Sequence, residues 1–471
     1  MTLSTQQRGR VFLVVALCLL TLCITASFST HDWQRTVQIS IGLCALLYGM
    51  SMATAHREQL LIDRPTSIGL VIILGLGLVS VGFAHQPLWA LTEWALLITC
   101  GSIAVAFAVL RRNGDETLDR VLILFVLLLC LIKSLQYGHS AFLAFTRGAS
   151  ILDMDLLLSG FSNKRFYGQF QTFTLPLLAL PLLLSTTSRT ARGLVFVLLC
   201  AWWLIAISGG TRGTWLGMGA AAMVLVFLGP WGRRWLAWQV TALGCGLFFY
   251  WLLFSVLARH LGVEVSNFAD ERLTASLSNR EVIWWQAWDM IRERPLSGFG
   301  PMHFADIANP VAAHPHQAIL QWASEWGVPS ALCVMVLALR ASWATLMVVH
   351  QRAQTRVSAD LLRLCLFAAL IGALAQSMVD GVIVMPNSQL WLALVVGWLM
   401  ALHPWQVPGR AIPSLYRAWT VLAALSVALL IFVACRDLPY TKERNQQYMD
   451  AGKTHLQPRF WVQGVIAHEG R

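Results

Sequence analysis

Two histidines separated by one proline, His314-Pro315-His316, open the stretch that runs through Gln317 and Glu325 to Gly327. Histidine titrates near neutrality, so one of them is suited to take a proton from a hydroxyl. His316 is the stronger candidate for a general base, and His314 reads as a loop histidine. Two histidines at i and i+2 also begin a metal site, but such a site needs further ligands, and no third residue stands at a convincing spacing. Glu325 could orient His316 or serve as a structural polar contact.

The second set is cationic. Lys164 and Arg165 follow Asn163; Arg212, Arg280 and Arg292 come later, among Arg259, Arg272, Arg294 and His303. Arg212 lies in Ser208-Gly-Gly-Thr-Arg-Gly-Thr-Trp215, ahead of an apolar run. Its glycines let an anion approach the backbone, and the helix start behind it adds positive potential. Arginine binds phosphate bidentately with a permanent charge. Together these residues point to a phosphate-bearing substrate held beside a base. Asp153-Met154-Asp155 has the spacing of a nucleotide–metal pair. No Gly-x4-Gly-Lys-Ser/Thr loop occurs, so no ATP-driven pump is implied.

The frame for these residues is oily. Of 471 residues 57% are hydrophobic and 12% charged, against roughly a quarter charged in soluble domains. Apolar runs long enough to cross a bilayer recur near 11–28, 38–54, 67–84, 88–110, 119–137, 168–185, 191–208, 213–229, 235–257, 327–349, 361–380, 388–403 and 416–434. The fold class is all-α, a polytopic integral membrane protein of about 12–13 transmembrane helices. A barrel would show alternation of period two, and none is seen. The net charge of +11 fits helix-flanking Lys and Arg facing anionic membrane lipid; no basic run is dense enough for nucleic acid. The ten cysteines mostly sit in apolar runs and read as helix-contact residues, with no disulfide framework or zinc site. Arg8 and Arg10 before Val11–Phe28 read as the start of an uncleaved first helix.

Arginines fix the expected orientation. Arg111, Arg112 and Arg120, Arg189 and Arg192, Arg233 and Arg234, and Arg352, Arg356 and Arg363 fall in connections on one side, while the short connections opposite hold only Arg35 and Arg212. The first side is read as cytoplasmic. The chain then divides into N-terminal helices (1–137), central helices (138–257) with an outer segment 138–167, a large outer catalytic loop (258–326), C-terminal helices (327–434) and an outer tail (435–471). Within the loop, Ser278 to Ile291 is predicted as a helix capped by Ser278, with Trp284, Trp285 and Trp288 on one face lying in the membrane interface. In a bacterium the outer side is periplasmic and offers no nucleotide sugar, so a substrate there must arrive already activated.

With these residues in place the chain resembles the superfamily of O-antigen ligases, O-antigen polymerases and pilin O-oligosaccharyltransferases. The ligase pattern is His-[Asn/Ser/Gln], nine residues, Gly, two residues, then Gly, Thr or Tyr. Here His316-Gln317 is followed by Gly327, with Ser330 in the last place. Gly210-Thr-Arg-Gly-Thr-Trp215, Asn279-Arg280 with Trp284, Pro295-Leu-Ser-Gly-Phe-Gly300 and Gly160-Phe-Ser-Asn-Lys-Arg-Phe-Tyr-Gly-Gln-Phe-Gln171 are similar to the family's segments. The similarity runs from about residue 155 to 400. It implies an inner-membrane glycosyltransferase that takes glycan from undecaprenyl-pyrophosphate on the periplasmic face, without cofactor or metal. It also implies that Arg212 and Arg280 hold the pyrophosphate, with Lys164, Arg165 and Gln317 as further substrate contacts, and that His316 is the base. The acceptor would be a pilin or other protein, lipid A core, or another glycan. The tail Leu456-Gln-Pro-Arg-Phe-Trp-Val-Gln-Gly464 is similar to the protein-glycosylating branch. A lipid-linked sugar carrier is the non-enzymatic alternative.

Overall fold

A computed structural model describes residues 4–26, 30–52, 62–146, 151–266, 280–404, 413–453 and 455–467. Its helices are α1 (Thr5–Thr25), α2 (His31–Met52), α3 (Arg64–Gly82), α4 (Pro87–Asn113), α5 (Glu116–Thr146), α6 (Lys164–Leu178), α7 (Leu180–Leu183), α8 (Arg189–Gly209), α9 (Arg212–Leu225), α10 (Gly229–Trp251), α11 (Ala258–His260), α12 (Arg280–Glu293), α13 (Ala318–Trp326), α14 (Val328–Gln351), α15 (Ser358–Gln376), α16 (Pro386–Leu402), α17 (Pro413–Asp437) and α18 (Thr441–Asp450). Polar residues start several of them: the side chains of Ser4, Asp63, Asn163 and Ser188 accept backbone N–H bonds at the starts of α1, α3, α6 and α8.

The protein is an all-α, polytopic membrane protein. Eight described helices are long and apolar enough to cross a bilayer on length and composition: α1, α3, α4, α8, α10 continued to His260, α14, α15 and α17. The other five apolar segments read from the sequence are helical too, as α2, α5, α6 with α7, α9 and α16. The departure from all-helix among the described residues is a short parallel ribbon, in which β1 (Ile151–Asp153) pairs with β2 (Glu264–Ser266).

α6 is the centre of the bundle. It is buried from Phe166 through Leu178, so its polar residues must find partners inside. Thr172 donates to Gln376 Oε1 at 2.6 Å, Ser388 donates to Gln169 Oε1 at 2.6 Å, and Trp202 donates to Thr174 Oγ1 at 3.0 Å. α9 lies against α15 at backbone distance: a Cβ on Gly217 would stand 2.6 Å from Gly372 O. Small residues permit that approach between membrane helices.

Cross-bundle bonds gather one end. Lys133 of α5 donates to Ile24 O and to Ser159 O, and Ser80 at the end of α3 donates to Glu325 O. Arg35 reaches Val384 O and Phe460 O. The sequence reading put Arg35 in a connection; it sits instead in the first turns of α2, buried and fully engaged. The opposite end is laced by Arg111 with Asp119, Arg340 with Asp63, and Arg352 and Arg363 with Asp360.

The predicted interfacial helix is present as α12, but its tryptophans do not share one face. Ile283, Ala287 and Met290 form the buried side against Phe304. Trp284 turns inward and donates to Pro315 O at 3.0 Å, whereas Trp285 and Trp288 are exposed. Arg272, Ser278 and Asn279 lie outside the described residues.

Candidate active site

The loop that carries the histidines is fixed at both ends. Before it, Trp284 holds Pro315 O. After it, Ala318 donates to Ser377 O at 2.9 Å, which ties the start of α13 to the end of α15. Between these anchors His316 adopts a left-handed backbone with φ 54°, uncommon for a non-glycine residue. His314 Nδ1 accepts from His316 N at 3.3 Å, and the two rings meet edge to face with centroids 4.1 Å apart. His314 thus braces the turn that aims His316.

The carboxylate facing His316 is Asp380, not Glu325. Asp380 Oδ1 lies 3.8 Å from His316 Nδ1, a nitrogen that is buried and makes no hydrogen bond. Asp380 is held by Gly381 N at 2.8 Å and by Gln376 Nε2 at 3.2 Å. Glu325 was read as either orienting His316 or serving as a structural polar contact. It accepts from Phe304 N at 3.1 Å and pairs with Arg459 Nη2 at 2.7 Å. Arg459 belongs to the tail, which docks along 303–314. Gln457 donates to Asn309 O, Ile466 N to Ala305 O, and Trp461 Nε1 to Asp437.

Arg165, Arg212 and Arg280 each stand at a helix start; Arg165 and Arg280 act on His316, and Arg212 acts on Arg280. Arg165 is the second residue of α6, with its N–H held by the Asn163 side chain. Arg212 and Arg280 are the first described residues of α9 and α12. α9 is pressed onto the Asp380 support: a Cβ on Gly213 would stand 3.0 Å from Gln376 Nε2. The charges act on one another. Burial lowers the Arg280 guanidinium from its ordinary pKa, and Arg165 and Arg212 lower it further while Asp380 opposes them. His316 is pulled down to about 3, first by burial and then by Arg165 and Arg280. Asp380 is pushed up by burial. The arrangement is a neutral imidazole beside Asp380, within the field of Arg165 and Arg280, and the mutual repulsion of Arg165, Arg212 and Arg280 favours an anion.

The remaining sequence candidates do structural work. Lys164 pairs with Asp155, and Asp153 Oδ1 accepts from Asp155 N at 2.9 Å, so the Asp-x-Asp pair shapes its own turn. Gln317 is the N-cap of α13, its side chain accepting from Leu320 N. His303 accepts from Gln86 N at 2.9 Å. Arg292 is exposed at the far end of α12. Gly327, with φ +83°, separates α13 from α14, and a Cβ there would stand 2.2 Å from Leu296 O. The Pro295–Gly300 and His316–Gly327 motifs therefore belong together: Phe299 N donates to Ser324 O and Gly300 N to Glu325 O.

Sequence reasoning missed the roles of Asp380 and Arg459. Asp380 had a signal, an isolated acid in the apolar run after α15. Arg459 had a weaker one, a lone cation between Pro458 and Phe460.

No curated protein matches the chain. The resemblance read from its motifs stands: residues 194–335, the stretch that holds Arg212, Arg280, His316, Gln317 and Glu325, match the family described as O-Antigen ligase.

Proposed function

We propose that the protein is an inverting glycosyltransferase. It would move an oligosaccharide from undecaprenyl-pyrophosphate to an acceptor hydroxyl on the periplasmic face of the bacterial inner membrane. The observation that supports this reading is buried His316 facing Asp380 at 3.8 Å, with Arg165 and Arg280 acting on it and Arg212 on Arg280. A glycosyl pyrophosphate is already activated, so its departure needs charge stabilisation more than protonation. The arginines supply that stabilisation as charge develops on the leaving oxygens. His316 takes the acceptor proton as the acceptor oxygen attacks the anomeric carbon and the bond to the pyrophosphate breaks. Asp380 then balances the imidazolium. A single direct attack inverts the anomeric centre.

The similarity of the tail to the protein-glycosylating branch favours a Ser or Thr of a pilin-type protein over lipid A core or another glycan. The test is turnover by purified protein given lipid-linked donor and each acceptor in turn, without nucleotide and with a strong chelator present. The proposal expects transfer under those conditions, to the protein acceptor above the others. Loss of transfer on chelation, restored by a divalent ion, overturns the metal-free mechanism. Donor movement across vesicles without transfer to any acceptor favours the carrier.

A further inference from the structure

At the end of the bundle opposite His316 a cavity of about 210 Å³ opens between α7, α8, α10 and the α14–α15 connection. It is far larger than the roughly 10–15 Å³ that one water needs. Its wall contains Arg192, Arg234 and Arg356, with Ser185, Trp231 and Trp238, and no carboxylate. Several arginines at this end face an acid: Arg111 meets Asp119, Arg340 meets Asp63, and Arg352 and Arg363 meet Asp360. Arg192 spends one nitrogen on Leu184 O at 2.7 Å and leaves Nε buried without a partner. Arg234 lies 4.6 Å over the ring of Trp231, which fixes the plane of its guanidinium.

Three guanidinium groups around one cavity repel each other unless an anion joins them. A tetrahedral phosphate offers enough oxygens to accept from several guanidinium forks at once. Tryptophans suit the level of the lipid headgroups. We propose that this cavity is a second anion site, separate from the candidate active site, which binds a phosphate group carried by an anionic phospholipid or free in solution. Its occupant would tie α8, α10 and the α14–α15 connection together.

The experiment uses the full chain, purified in neutral detergent. Binding and thermal unfolding are followed with phosphatidylglycerol, with phosphatidylcholine, and with inorganic phosphate at matched ionic strength. The site predicts preference for phosphatidylglycerol or phosphate over phosphatidylcholine. R192Q, R234Q and R356Q should each weaken that binding roughly 5- to 10-fold, and R192K should fall between R192Q and wild type because it keeps the charge and loses the fork. R233Q is the control, since Arg233 is an exposed neighbour outside the cavity; it should bind as wild type does. Stronger protection by the lipid than by phosphate assigns a headgroup, and equal protection assigns the free anion. If R192Q does not fold, the exposed Arg234 and Arg356 carry the test. Wild-type affinity in R234Q and R356Q, or an equal loss in R233Q, overturns the site.

Discussion

Arg459 Nη2 lies 2.7 Å from Glu325 Oε2, and neither side chain reaches solvent. One residue belongs to the tail and the other to the helix that follows His316. Their pairing makes the tail part of the site's foundation. R459A leaves the Glu325 carboxyl buried without its cation, and E325A leaves Arg459 only the 3.4 Å contact to Glu93, so breaking the pair costs up to about 3–5 kcal/mol. R459A and E325A should therefore lower the thermal unfolding temperature strongly in detergent. E325Q, which keeps an acceptor for Arg459, should cost less. Wild-type unfolding temperatures for both alanine variants would mean that the tail does not dock in this way.

The pH dependence of transfer follows from His316. In the proposed mechanism its neutral form is the working form, and burial with Arg165 and Arg280 lowers its pKa to about 3. The base stays neutral until the pH falls toward that value. The acid limb of kcat/KM should therefore lie well below the ordinary histidine range near 6.5. R280Q removes a charge that disfavours the imidazolium, so the limb should move to higher pH even as the rate falls. An acid limb near 6.5 that R280Q leaves in place would contradict the cation cluster.

The helices were legible because apolar runs of bilayer length leave few alternatives. His316, Arg212 and Arg280 stood out because such an oily chain does not need cations to fold. Asp380 stood as an isolated acid in an apolar run, but its partner His316 is far away in sequence, so spacing did not join them. The bond from Ala318 N to Ser377 O and the close approach of Gly381 to His314 bring the end of α15 under the histidine loop. Of the two readings of Glu325, the structural one has Arg459 as its partner, 134 residues away, and local spacing carries no signal for that contact. The tryptophans of α12 failed for a different reason. Trp284 and Trp285 are adjacent, about 100° apart around the helix, so one can turn inward while the other faces out.

Orientation can be checked with a reporter active only in the periplasm. Fusions after residue 300 or 450 should be active, and fusions after 115 or 355 silent. Gln457 and Ile466 bond to Asn309 and Ala305, so the first two sites must share a side. Activity at 300 with silence at 450 would break that relationship.

The central claim separates binding from chemistry, and the measurement is donor affinity together with single-turnover transfer for R212A, R280A, H316A and H314A. A charge-assisted bidentate contact is worth roughly 1.5–3 kcal/mol, or about 10- to 150-fold, so R212A and R280A should weaken donor binding by that range. H316A should bind lipid-linked donor almost as wild type does while transfer falls by about 10²–10⁴. H314A, which loses only the brace, should be much milder. Transfer by H316A at the wild-type rate would contradict the assignment of His316 as the base and leave the carrier as the better account.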